Sequence, residues 1–165
     1  MKLKEKKEFW NAIKTGEFAN MVQETAKGQA LNNGGEVYNL LKPLMANDPN
    51  VEQAWFIFLD AKNKVIQVKK MFTGSVTSSA IYPREVIKEC LKVGAAALIM
   101  SHNHPSGDSE PSPEDYTITF QMIIACKTMG ITLHEHMVIG DCYYSMADCG
   151  YITKFNRKYN ELTMG

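Results

Sequence analysis

Two six-residue apolar runs, Ala54-Trp55-Phe56-Ile57-Phe58-Leu59 and Ala95-Ala96-Ala97-Leu98-Ile99-Met100, constrain this 165-residue chain more than any other feature. Each is too short for a core helix and lacks the polar alternation of a strand with one wet face, so each reads as a strand buried on both sides. Such strands need helices above and below. The sequence supplies them. Val37, Leu40, Leu41 and Leu44 recur at i, i+3, i+4 and i+7, a helical face stopped by Asn47-Asp48-Pro49-Asn50. Pro83 opens a second helix with Val86, Ile87, Cys90 and Leu91 on one face and Gly94 as its stop. Ser112 and Pro113 open a third, running to Met129 before Gly130. Asp60-Ala61-Lys62-Asn63 turns the first run into a second strand over 64–72, and Gly74–Ser79 reads as a small-residue connection. Ile131–Ile139 and Cys142–Met146 complete the strands. The expected fold is α/β (α+β), a single mixed sheet flanked by helices.

Length and composition fit one core: 18 Lys+Arg against 18 Asp+Glu, with 45% hydrophobic residues, exclude a disordered chain and disfavour a general polyanion binder. Residues 3–27 look helical with a break at Gly16, and Asn32-Asn33-Gly34-Gly35 reads as a turn or linker. We therefore divide the chain into a helical extension (1–35), a compact domain (36–150) and a tail (151–165), the last expected as a weakly packed helix or disorder. No stretch approaches 18 consecutive apolar residues, and no apolar run follows the basic amino terminus, so neither a membrane span nor a secretory signal is expected. Cys90, Cys126, Cys142 and Cys149 show no metal or disulfide spacing and suit free thiols in a reducing cytoplasm.

The neutral charge sum hides a division. Residues 61–92 carry seven basic side chains and two acidic ones; residues 100–150 carry Lys127 against seven acids and all four histidines. The histidines form two His-x-His pairs. His102 and His104, two apart on an extended chain, face one point, and two imidazoles suit zinc, which in catalytic sites takes three protein ligands and leaves a position for water. Asp115 is the best third ligand, because the Pro105, Gly107, Pro111 and Pro113 punctuation folds the intervening stretch back on itself. Each residue also has a plainer reading. His102 and His104 alone suit a hydrogen-bonded loop pair, and Asp115 suits the N3 acid of a capping box with Ser112, worth about 1 kcal/mol. His134 and His136 also share a strand face and suit packing better than a second metal site.

The pattern His102-x-His104, ten residues, Asp115, with Ser112 three before the aspartate, resembles the JAMM motif of the JAB/MPN metallopeptidases. His102-Asn103-His104-Pro105-Ser106-Gly107, Pro111-Ser112-x-x-Asp115 and Pro83-Arg84-Glu85-Val86 resemble the RadC-type branch, across roughly residues 36–150. The resemblance implies an MPN or cytidine-deaminase-like architecture, one Zn2+ on His102, His104 and Asp115, a hydroxyl from Ser112 at the developing oxyanion, and Glu52 as general base. From spacing alone Glu52 does not stand out from Glu85, Glu110 or Glu135. The implied reaction is hydrolysis of an amide or isopeptide bond in a protein or peptide; the alternative is a DNA-repair-associated or protein-interaction module that keeps its metal without catalysis. Iron or another divalent cation also suits two imidazoles and a carboxylate. Relatives commonly begin with a helix-hairpin-helix region, whose glycine-bearing hairpins residues 1–35 lack, so the catalytic-type domain alone is expected. His136 matches a family histidine in an Asp-His-x-x-x-Gly context, with Glu135 replacing the aspartate, whereas His134 has no counterpart. A DNA-binding role would draw on Lys62, Lys64, Lys69, Lys70, Arg84, Lys88 and Lys92 with Trp55, Phe56, Phe58 and Phe72 interleaved, although those aromatics read more readily as core.

Overall fold

The computed structural model describes residues 2–74 and 81–165. Five strands form one mixed sheet in the order β2-β1-β3-β4-β5, where β1 is Glu52–Leu59, β2 Val65–Gly74, β3 Ala97–Asn103, β4 Thr132–Ile139 and β5 Tyr143–Ser145. Only the β3–β4 pair is parallel, as its helical crossover requires; the other neighbours are antiparallel. Apart from Gly74, which ends β2, the expected small-residue connection lies outside the described residues.

Both apolar runs occupy the middle of the sheet. Trp55, Ile57 and Leu59 of β1 and Ala97 and Ile99 of β3 face Val37, Leu41, Leu44 and Met45 of α3 (Gly34–Met45). Ala54, Phe56, Phe58, Leu98 and Met100 face the opposite way, onto α4 (Pro83–Val93), α5 (Pro113–Thr128) and the start of α6 (Tyr151–Met164). Phe56, Phe58, Leu98 and Leu41 are all fully buried. At about 1.5–3 kcal/mol for each such side chain, this two-sided burial outweighs any single cap or turn in fixing the layers.

At the ends of the elements two expectations change, and the tail takes the helical one of its two expected forms. Asn32-Asn33-Gly34-Gly35 is the start of α3: the Asn33 side chain accepts the Glu36 N–H at 3.0 Å as its N-cap. Strand β3 continues past its apolar run, so Ser101, His102 and Asn103 belong to it. The segment after Gly150 is a 14-residue helix whose Ile152 is buried and whose Phe155 lies against Phe120 of α5, with ring centroids 5.6 Å apart. Its scattered apolar residues gave little sequence signal, because only one face meets α5.

Before the sheet, α1 (Leu3–Thr15) and α2 (Glu17–Ala26) meet at Gly16, whose φ of 80° ends the first helix and opens the second. α2 reaches the α3-side core through Ala19, Val22 and Ala26, whereas α1 buries no residue. Among the described residues, no helix is long and apolar enough to cross a membrane. The four cysteines are unpaired with one another, Cys90 and Cys126 buried, Cys142 and Cys149 exposed.

Candidate metal centre

The sheet register builds the site. Ala54 stands opposite His102 in the antiparallel β1–β3 pair, and continuing that register by two residues sets Glu52 against His104. Because side chains alternate, Glu52, His102 and His104 leave the sheet on the face that carries Ala54 and Met100, the face covered by α5. Asp115 approaches from the first turn of that helix. Its placement follows from the reciprocal cap read in the sequence: Ser112 Oγ accepts the Asp115 N–H at 3.2 Å, and Asp115 Oδ2 accepts the Ser112 N–H at 2.7 Å.

The loop between His104 and Ser112 is held from below. His104 N–H donates to Ile139 O at 2.8 Å and Asp141 N–H to Gly107 O at 2.7 Å, tying the loop to the end of β4. Gly140 admits this approach, since a Cβ there would lie 2.1 Å from Gly107 O. Gly107 itself has φ 87°, a left-handed conformation that glycine adopts without strain.

His102 Nε2, His104 Nε2 and an Asp115 carboxylate oxygen converge within 4.8 Å of one another. The two Nε2 atoms are 3.0 Å apart, His102 Nε2 lies 3.1 Å from Asp115 Oδ1, and His104 Nε2 lies 3.4 Å from Asp115 Oδ2. His102 is 1% exposed and Asp115 is buried too, so the ring and the carboxylate face each other with little water between. Burial alone would raise the Asp115 pKa, but the facing His102 and His104 rings and the Ser112 N–H hold this carboxyl well below the ordinary carboxylate range. Asp115 in turn raises His104, against the opposing effect of burial, and Asp108 O and the charge of Glu52 add to the rise. That electrostatic contribution places Glu52 within reach of the same centre.

His104 Nδ1 lies 2.8 Å from Asp108 O. A carbonyl only accepts, so Nδ1 carries the proton and Nε2 presents its lone pair to the centre. Two imidazole nitrogens and a carboxylate converging on one point are a donor set suited to a divalent cation.

Three further residues support the site. Asn103, between the two histidines, points to the other face: its Oδ1 accepts the Gln53 N–H at 2.7 Å and its Nδ2 donates to Val51 O at 3.0 Å. One amide thus clamps the backbone on either side of Glu52. His136, fully buried, sets Nε2 2.8 Å from His102 Nδ1, and Thr119 Oγ1 meets the other side of its ring. Burial keeps His136 well below the ordinary histidine range, hence neutral.

The shared face expected for His134 and His136 is not formed. A β-bulge sets Leu133 against Leu98 and Glu135 against Ile99, leaving His134 extra, and the alternation of β4 inverts there. His134 Nε2 instead meets Asn63 Oδ1 at 2.8 Å, in the β1–β2 turn. Glu135 anchors the β5 segment, accepting from Ser145 Oγ and from Ala147 N–H at 3.0 Å. Of the basic stretch, Lys69 pairs with Glu89 at 3.1 Å, while Trp55, Phe56 and Phe58 are buried in the sheet and closed to base stacking.

The model of the RadC-like JAB domain matches residues 31–151, from just before α3 to the start of α6, so every strand and every residue of the centre lies inside the match. The chain belongs to the RadC-like JAB domain family. A UPF0758 protein of Pseudomonas fluorescens (strain Pf0-1) is 35% identical to it over 134 residues, covering 81% of this chain and 59% of that relative. The chain thus spans about three fifths of the length of the relative it matches. Inside the RadC-like match, His102, His104 and Asp115 form a group that could hold a metal ion, and the single mixed sheet flanked by helices fits the JAB/MPN type of architecture.

Proposed function

We propose that this RadC-like domain is a zinc-dependent hydrolase of amide or isopeptide bonds in proteins or peptides. The observation that carries the proposal is the convergence of His102 Nε2, His104 Nε2 and the Asp115 carboxylate within 4.8 Å; Glu52, at the start of β1 and acting on His104 through its charge, supports it. His102, His104 and Asp115 would hold the zinc, which would supply a Lewis acid and lower the pKa of a bound water from about 15.7 toward about 7.

The chain's own groups do the rest. Glu52 accepts a proton from the attacking water as the new O–C bond forms, then gives it to the amide nitrogen as the C–N bond breaks, so the products are a carboxylic acid and an amine. The backbone clamp from Asn103 holds Glu52 to one position, which conserves the orientation that proton transfer requires. Ser112 Oγ uses an acceptor lone pair for the helix cap; its O–H proton is not consumed by that bond and serves to donate to the carbonyl oxygen as negative charge develops.

Two measurements test this reading. Protein loaded with zinc should bind one equivalent and hydrolyse isopeptide-linked or peptide fluorogenic substrates. The Glu52→Gln variant should keep its zinc and lose at least about a hundredfold in rate, the scale of general-base catalysis. Full activity in that variant would remove Glu52 from the mechanism, and a folded wild-type protein unable to take up zinc would overturn the proposal.

A further inference from the structure

His136 and Thr119 lie behind the candidate metal centre, outside the His102, His104 and Asp115 set. Thr119 Oγ1 is 2.5 Å from Asp115 O, one helical turn back, and 2.5 Å from His136 Nδ1. Two oxygens at that separation need a proton between them, and a carbonyl has none to give, so the Thr119 hydroxyl spends its single proton on Asp115 O. The proton between Thr119 Oγ1 and His136 Nδ1 must then come from the ring. With Nδ1 protonated on a neutral imidazole, His136 Nε2 is an acceptor, and its partner at 2.8 Å, His102 Nδ1, must be the donor. His102 is left with a bare Nε2, the atom that faces His104 Nε2 and Asp115 Oδ1.

We infer that His136 and Thr119 are positioning residues whose hydrogen-bond relay, starting at the Asp115 carbonyl, locks His102 in the tautomer that ligates through Nε2. Asp115 is therefore tied to the site twice, by its carboxylate at the centre and by its backbone carbonyl at the origin of the relay. The β4 bulge makes the arrangement possible. Leu133 faces the α4–α5 core, so an unbroken alternation would send His136 to the α3 side; the extra residue His134 returns it to the His102 face. His104 receives the matching constraint from Asp108 O, so both ligating rings have their outer nitrogens fixed by protein acceptors.

The inference rests on metal binding by His102, His104 and Asp115, and its test separates the two. In metal-free wild-type protein, imidazole 15N–1H correlation spectra should show His102 and His136 both protonated at Nδ1; a His102 protonated at Nε2 and not at Nδ1 overturns the relay with no variant needed. His136→Phe keeps a ring in the cavity but removes the acceptor, and should weaken zinc binding about 10–100-fold in competition with a chromophoric chelator. His136→Gln, whose amide both accepts from His102 and donates to Thr119, should recover most of that loss, as a merely space-filling role would not allow. Thr119→Val, isosteric but unable to accept from His136, should also weaken zinc binding and return His102 to mixed tautomers. Wild-type zinc affinity in folded His136→Phe would overturn the relay while leaving the metal centre intact; failure of the wild type to bind zinc would overturn the metal reading itself.

Discussion

Asp115 meets two demands with two oxygens: Oδ2 closes the helix cap on the Ser112 N–H while Oδ1 faces His102. The structural and chemical readings of this residue are thus one arrangement, because a cap residue at N3 is oriented back toward the loop that carries the histidines. That is why His102, His104 and Asp115 were legible in sequence: strand alternation and capping geometry are local rules. His136 was not, because its direction depends on a bulge set by long-range pairing of β4 with β3. Thr119, four residues after Asp115 on the same helical face, had a local signal, but a threonine in a helix reads first as a back-bonded hydroxyl.

The electrostatics at residue level predict a pH dependence. His104 is raised above its ordinary value, chiefly by Asp115. In metal-free protein its protonated form therefore contributes stability that is complete below the unfolded value and is lost as pH rises through the raised folded value. Zinc requires the opposite, deprotonated state. The rise in Tm on adding saturating zinc should accordingly be larger at about pH 8 than at about pH 6, measured by scanning calorimetry. An equal rise at both would show that His104 does not gate metal uptake.

Among elements, the site is a contact between the β3 end, the first turn of α5 and the turn after β4. Their junction is narrowest at Gly140. Gly140→Ala would drive a Cβ into Gly107 O, which no side-chain rotation relieves, so it should cost at least about 1–3 kcal/mol in urea unfolding and loosen zinc binding by displacing the His104 loop. At the other edge of the site, Asn103→Leu removes both hydrogen bonds that bracket Glu52. Zinc stoichiometry should persist while kcat falls more than KM changes, because the loss lies in Glu52 placement; unchanged kcat would show that the clamp is structural only. The identities of these elements were plain in sequence, through Pro83 and Pro113 at helix starts and the apolar runs of β1 and β3. Strand ends were less plain: His102 and Asn103 are polar, and pairing with β1 and β4, which hydropathy does not encode, carries the strand through them.

For the whole molecule, the centre and its supports lie within the five-strand sheet and the helices that cover it, and α1 lies outside on α2, Phe9 meeting Phe18 with ring centroids 5.7 Å apart. It buries no residue, so deleting residues 1–15 should leave Tm and zinc affinity within error of the full chain, whereas removal reaching Val22 and Ala26 should lower Tm by exposing the α3-side core. A drop in zinc affinity on the shorter deletion would assign α1 a role in the site. The charge division seen in sequence also acquires a place. Asp115 and the Asp108 carbonyl at the candidate centre come from the acidic stretch, while part of the basic stretch is spent internally in the Lys69–Glu89 pair.

The proposed metal centre makes one atom-level prediction, that a divalent metal is bound by the two Nε2 atoms and Asp115. Anomalous diffraction at the zinc edge, from crystals of the zinc-loaded protein, tests it directly. The predicted result is one strong peak about 2.0–2.2 Å from His102 Nε2, His104 Nε2 and an Asp115 carboxylate oxygen. A peak elsewhere in the molecule, ligation through Nδ1 of either histidine, or no peak in well-ordered crystals would contradict it.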